Sequence, residues 1–339
     1  MNRLAVAVLG AGFMGRIHAQ AYASFPDVEL KAICDPREEA ARAVAGPLGA
    51  ATETDYRRLL ARDDLDAVSI CTPEHLHREP VELAARAGKH VLVEKPLATD
   101  RGEAELLLAA ARAAGRILMV NYSQRFVPEF YWAKQQIAAG AIGKPLIVRS
   151  LKNDAISVPT EMLRWAAKTS PIFFMTSHDL DLVRWYLEDE AEEVYAREVA
   201  GVLRARGVDV HDGVEALVRF RGGAIATFHS SWIHPNSFPS LTDSWLEIVG
   251  SAGVLSLGRG REHELYQAAG YRSPRFGTAD EIGGVLQGAF RTSLELFLAS
   301  IRTGSEPMTS AANTFGVTAT QCAIMESLRT GRPVPVRLE

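Results

Sequence analysis

The chain has only three cysteines in 339 residues, Cys34, Cys71 and Cys322, at irregular spacing. That excludes a disulfide framework, and the nine histidines supply no H-x-x-x-H or C-x-x-C spacing for a metal, so none is expected. Cys34 and Cys71 each close an apolar run and read as buried, reduced thiols, which points to the cytoplasm. Charge of either sign is scarce in excess: 37 Lys and Arg face 41 Asp and Glu, a net −4 without basic runs. Neither nucleic acid nor an anionic membrane surface is therefore an expected partner. No long uncharged stretch is present, since the most apolar segment, 104–120, is broken by Glu105, Arg112 and Arg116. Arg3 before a short apolar run superficially fits a secretory leader, but glycines interrupt it and no small-residue cleavage site follows. Repeats and low-complexity segments are also missing.

What the chain does have stands at its start. Leu4-Ala5-Val6-Ala7-Val8-Leu9 runs directly into Gly10-Ala11-Gly12-Phe13-Met14-Gly15, followed by a helical pattern. This is a G-x-G-x-x-G turn between a buried strand and a helix. Gly10 permits the tight turn, Gly12 lets a pyrophosphate approach the backbone, and Gly15 lets helix and strand pack closely. The helix N-terminus offers free N–H groups and partial positive charge to phosphate. A second apolar run, 28–34, ends in Asp35, about 20 residues beyond Gly15, where an acid accepts from both adenosine ribose hydroxyls and repels a 2′-phosphate. The alternative is that Asp35 only caps the turn before Pro36. The combination predicts NAD as cofactor, with Arg37 able to soften the preference and keep NADP in play.

The first third alternates apolar strands with helical segments, which predicts βαβ units and a parallel sheet. Helices are expected over 36–45, 80–88 and 101–114, strands over 66–71, 90–93 and 117–120, and a short amphipathic turn over 55–60. Beyond residue 121 the pattern changes. Alternating strands 215–220 and 224–229 flank Arg221-Gly222-Gly223, and 245–250 and 253–257 flank Ser251-Ala252, so hairpins and an antiparallel sheet with one open face are predicted. Helices over 289–302 and 311–330 close the chain. The expected division is a dinucleotide-binding domain, 1–121, and a substrate-binding and oligomerisation domain, 122–339.

Candidate chemistry falls at strand ends, where open parallel sheets place their ligand groups. Thr72-Pro73-Glu74-His75-Leu76-His77 follows the third strand of the motif and Glu94-Lys95-Pro96 the fourth. Lys95 reads either as a proton-handling group beside a nicotinamide or as a loop lysine paired with Glu94. His178, in Ser177-His178-Asp179-Leu180-Asp181, reads either as a base at the positive end of a helix or as a cap. In the polar segment 152–165, Trp165 is placed to stack on a sugar ring and Arg164 to bind an anionic group, or both pack internally.

With these residues in view, the chain resembles the glucose–fructose oxidoreductase / inositol dehydrogenase / rhizopine-catabolism (Gfo/Idh/MocA) family across nearly its whole length. The resemblance rests on the glycine turn, Thr72-Pro73-Glu74-His75-Leu76-His77, the block from Ala87-Gly88-Lys89-His90 to Glu94-Lys95-Pro96-Leu97-Ala98, Gln124-Arg125-Phe126 and His178-Asp179-Leu180-Asp181. It implies an α/β protein: an N-terminal Rossmann domain and a C-terminal α/β domain with a large, mainly antiparallel open sheet that serves a homo-oligomer, dimer or tetramer. It implies hydride exchange between NAD and a sugar, polyol or sugar derivative. Lys95 and His178 fall on the family's catalytic lysine and histidine, and Phe13, Met14, Thr72, Pro73, His75, His77 and Glu94 join the glycines, Asp35 and Arg37 on the cofactor side. One position departs. The inositol dehydrogenase type carries an aspartate four residues before the histidine, and here that residue is Phe174. A phenylalanine cannot orient an imidazole as a carboxylate does, so Asp154 and Asp179 stand as alternative acids. Two other readings remain: a glycosidase that oxidises its sugar transiently and regains the hydride, and a non-catalytic NAD-binding sugar sensor.

Overall fold

The structure is a computed structural model that describes residues 3–258 and 277–338, together with the backbone of two short strands, Leu265–Gln267 and Gly270–Arg272. It divides into two compact units, Met1–Val127 with Gly277–Phe315, and Pro128–Phe276 with Gly316–Glu339.

In the first unit, β1 (Leu4–Leu9), β2 (Val28–Cys34), β3 (Ala51–Glu53), β4 (Ala67–Ile70), β5 (His90–Val93) and β6 (Leu118–Val120) form one sheet in the order β3-β2-β1-β4-β5-β6. Every pairing is parallel. The strands are near-continuous apolar runs because a parallel sheet carries helices on both faces. Those helices are α1 (Phe13–Ser24), α2 (Glu38–Ala45), α3 (Tyr56–Leu60), α4 (Arg78–Arg86) and α5 (Arg101–Ala114). Local chemistry sets their ends. The Asp55 and Asp100 carboxylates cap α3 and α5 by accepting from the backbone N–H of Arg57 and Glu103, and α5 stops at Gly115, whose φ of 61° is left-handed.

The expected single cut at residue 121 differs from what is found, because the chain returns to this unit. Val120 N–H donates to Thr309 O (2.9 Å), Ser293 Oγ to Asn121 Oδ1 (2.7 Å), and the buried Arg125 to Met308 O (3.1 Å) and Asn313 Oδ1 (3.2 Å). Residues 120–125 thus bond to Ser293 in the helix Ala289–Thr303 and to the segment 308–313 that follows it. Long-range pairing of this kind leaves no local trace in a sequence.

In the second unit, β7 (Pro145–Ala155), β8 (Ala191–Val199), β9 (Gly213–Phe220), β10 (Ile225–His234), β11 (Thr242–Gly250), β12 (Val254–Gly258) and a short strand Val334–Pro335 form a sheet ordered β12-β11-β7-β10-β9-β8 with Val334–Pro335 at the edge. All neighbours are antiparallel except β7 and β10. Both expected hairpins form. Alternation sorts the two faces: Val214, Ala216, Val218 and Phe220 are buried, while Leu217 between them is 45 % exposed, as is Ile225 at 41 %. The buried face meets α7 (Ser177–Leu187), which follows α6 (Pro128–Ala138) in the chain: Ser150 and Lys152 of β7 both reach its Asp179.

Candidate active site

The glycine turn behaves as its sequence predicts. Gly10 has φ +96°, and a Cβ there meets Cys71 O at 2.6 Å; a Cβ on Gly15 meets Gly10 O at 1.7 Å. Strand, turn and helix pack too tightly for any side chain at either position. A Cβ on Gly12, by contrast, meets nothing within 4 Å, so its missing side chain serves an approach from outside. Asp35 closes the turn: Ala11 N–H donates to its Oδ2 and Arg37 N–H to its Oδ1, both at 2.9 Å. The Arg37 guanidinium is itself 3.4 Å from Oδ1 and largely exposed. This carboxylate is buried, fixed by backbone donors and retains lone pairs for further donors.

At the end of β4, Thr72 Oγ1 is buried and has no hydrogen-bond partner. An orphaned hydroxyl beside the Gly10 turn, with the open space at Gly12 and the fixed acid at Asp35, fits a dinucleotide whose phosphates and ribose complete those groups. Phe13 lies exposed at the first turn of α1, Met14 and His75 are half-buried, and Pro73 leads into the turn that carries Glu74 and His75.

At the end of β5, Glu94 is buried and takes Asn121 Nδ2 at 2.6 Å, with His18 Nε2 at 3.1 Å from the same oxygen. His18 Nδ1 in turn lies 3.4 Å from Cys71 Sγ. Burial pushes the Glu94 carboxyl up, but His18, Asn121 and the neighbouring Lys95 ammonium outweigh it, and its pKa falls below the usual Glu range. Burial also pushes the Cys71 thiol well up, so that sulfur stays protonated and inert. His18, Asn121 and Ser293 were not candidates from sequence. A histidine on the buried side of α1, three residues past Gly15, was the available signal, and its partners lie 53 and more residues away.

Lys95 follows Glu94, is half-buried, and precedes Pro96 through a cis peptide. Gly10 to Gly15, Asp35, Thr72, Glu94 and Lys95 thus all sit at the C-terminal ends of β1, β2, β4 and β5, the edge at which an open parallel sheet binds its ligand. His77 is buried too, with Nδ1 2.9 Å from Pro96 O and Nε2 3.0 Å from Thr72 O.

The remaining candidates belong to the second unit. His178 is half-buried in the first turn of α7, but it does not stand at a free helix start as expected. A π-helical turn, Ile172–Thr176, runs into α7, and Thr176 and Ser177 both hold right-handed helical angles. The helix dipole at His178 is correspondingly weaker than at a true N-terminus, since the effect fades within the first turn. Asp179 is buried, receives Ser150 Oγ at 2.8 Å and pairs with the buried Lys152, so its oxygens are committed inside the unit. Asp154 is buried at the end of β7, Trp165 is half-buried and Arg164 is exposed. Phe174 packs against the fully buried Trp232, ring centroids 5.7 Å apart, at the fringe of an apolar cluster of Ile156, Met175, Leu203 and Val210. Among the described residues no group of His, Cys, Asp or Glu could hold a metal ion, and no helix is long and apolar enough to cross a membrane.

This fold and this strand-edge site define an NAD-binding oxidoreductase. Residues 4–122 match the oxidoreductase family with the NAD-binding Rossmann fold, and residues 130–256 match the GFO/IDH/MocA C-terminal domain. The chain belongs to the Gfo/Idh/MocA family. It is 29 % identical over 97 % of its length to an inositol 2-dehydrogenase of Rhizobium meliloti, covering 98 % of that protein. It is 31 % identical to a myo-inositol 2-dehydrogenase of Thermotoga maritima, over 76 % of each chain. Among solved structures, that of GenD2 from gentamicin A biosynthesis, in complex with NAD, superposes with a TM-score of 0.88 at 25 % identity, covering 99 % of this chain and 97 % of the other.

Proposed function

We propose that the chain oxidises a secondary hydroxyl of a sugar or sugar-derived polyol, with NAD as the hydride acceptor. The observation that carries the reading is Lys95 at the end of β5, in one row with the Gly10 turn, Asp35 and the orphaned Thr72 hydroxyl. Bound NAD supplies the acceptor carbon for the hydride. The residues supply the rest: Asp35 holds the adenosine ribose, the Gly12 backbone and the α1 N-terminus hold the pyrophosphate, and Glu94 keeps negative charge behind Lys95. Lys95 donates to the substrate hydroxyl and stabilises its oxygen as the proton leaves, and the resemblance to the family assigns the acceptance of that proton to His178. Phe174 removes the carboxylate that supports the histidine in the inositol type, so we place the substrate among sugars and their derivatives rather than the inositols of the named relatives. Cys34 and Cys71 form no disulfide, which fits a reducing compartment, and we place the protein in the cytoplasm.

The open face of the second sheet, carrying Leu217, Ile225 and Val254 (58 % exposed), supports a homo-oligomer assembled through it. The function test is a panel of monosaccharides, inositols and their acids incubated with enzyme and NAD, read by NADH absorbance. Stoichiometric NADH from a sugar is the expected result. Release of an aglycone from glycosides without NADH would establish the transient-oxidation glycosidase instead. Saturable sugar binding without turnover, unchanged by Lys95→Ala, would establish a sensor.

A further inference from the structure

His77 lies on neither strand that frames the site, yet it touches both of their loops. Its ring is 1 % exposed, with Nδ1 against Pro96 O and Nε2 against Thr72 O. Thr72 carries the orphaned hydroxyl at the end of β4, and Pro96 directly follows Lys95 at the end of β5. The turn Glu74–Leu76 leads His77 back under these two segments, where it becomes the residue preceding α4. With both ring nitrogens on protein carbonyls, His77 has no polar atom left for a cofactor, in contrast to the cofactor contact that the sequence suggests.

We propose that His77 is a positioning residue, a tether that sets the placement of Lys95 relative to the Thr72 loop. The inference rests on the assignment of Lys95 to proton handling. The chemistry of the ring makes the tether selective. Carbonyl oxygens only accept, so each link needs an N–H on the nitrogen that faces it. A doubly protonated ring makes both links; a neutral ring makes one and turns a lone pair toward the other carbonyl. Burial lowers the His77 pKa below the usual histidine range, outweighing the two carbonyls and the charges of Glu74 and Glu94 that favour the proton. Lys95 stands on the residue immediately before one of these anchors, so a displacement of Pro96 is passed on to its backbone. A positioning error of about 1 Å costs on the order of a hundredfold in rate.

The two links can be cut separately. An asparagine amide nitrogen takes the place of Nδ1, and a glutamine amide nitrogen that of Nε2, so His77→Asn retains the Pro96 link and His77→Gln the Thr72 link. His77→Leu retains neither. We expect His77→Leu to lose on the order of a hundredfold in kcat at saturating NAD and sugar. His77→Asn should recover most of that kcat, whereas His77→Gln should recover NAD affinity and leave kcat low. Hydrogen exchange should rise at residues 94–98 in the Leu and Gln variants and stay at the wild-type rate in the Asn variant. Full kcat in His77→Leu, unchanged exchange at 94–98, or equal rescue by both amides in step with Tm would each overturn the tether. Lys95→Ala, assayed alongside, separates the two ideas. If it keeps its kcat, the role of Lys95 falls while the exchange data still decide whether His77 holds the two loops.

Discussion

Phe174 packs its ring against Trp232, 5.7 Å between centroids, one helical turn before His178. The position that carries a carboxylate in the inositol type is here part of an apolar cluster. Replacing it with aspartate places a charge against a buried indole and removes the ring contact. Phe174→Asp should therefore cost about 2–4 kcal/mol of stability, read as a lower urea midpoint, and should not create turnover of myo-inositol. A gain of inositol oxidation with no loss of stability would show that the ring is not a structural part of that cluster.

Asp35 is held by the backbone N–H groups of Ala11 and Arg37 with the Arg37 side chain beside it. On the proposed reading, Asp35→Ser removes the acceptor for the ribose hydroxyls and the repulsion of a 2′-phosphate, and leaves Arg37 available to that phosphate. A charged hydrogen bond contributes about 1.5–3 kcal/mol, so NAD should bind roughly ten- to hundredfold more weakly. NADP affinity should rise, and fluorescence titration with each dinucleotide measures both.

Lys152 and Asp179 form a buried pair joined by Ser150. Asp179→Ala removes the carboxylate paired with the buried Lys152 ammonium, which costs up to about 3–5 kcal/mol. Denaturant unfolding should show that loss. Asp179→Ala together with Lys152→Met should recover a large part of it, because the buried ammonium is gone with its carboxylate.

Glu94 has a pKa below the ordinary carboxylate range. A carboxylate depressed in the folded state stabilises the protein above its unfolded pKa, and that contribution disappears as pH falls through the lower, folded value. Thermal stability of the wild type should therefore decline below about pH 4.3. Glu94→Gln should show a shallower acid limb in a Tm-against-pH series.

Leu217 and Ile225 lie exposed on the open face of the second sheet. If that face assembles copies of the chain, Leu217→Arg with Ile225→Glu should reduce the mass seen by sedimentation and leave far-UV circular dichroism unchanged. An unaltered mass would place the interface elsewhere.

The first half of the chain was legible because its signals are local. The apolar run, glycine turn, Asp35 spacing and Gly115 stop act over a few residues, and β5 and α5 fall where the pattern predicts. Less was legible beyond residue 121. The hairpins β9–β10 and β11–β12 announced themselves through their turns, whereas β7 and β8 did not, since long strands with polar buried positions such as Ser150, Lys152 and Asp154 break simple alternation. The return of residues 277–315 to the first unit was also hidden.

By itself, then, the amino-acid sequence determined the dinucleotide turn, its preference for an acid at position 35, and the lysine at the end of β5. Each depends on backbone geometry or spacing that neighbouring residues impose. Only the tertiary structure decided which polar groups remain available for chemistry. Asp179 is committed to Lys152, Glu94 to Asn121 and His18, and His77 to two carbonyls, while Thr72 keeps an unmatched hydroxyl. Buried polar groups must be satisfied, and their partners come from segments dozens to hundreds of residues away, so the choice is made by packing and cannot be read from the order of the residues.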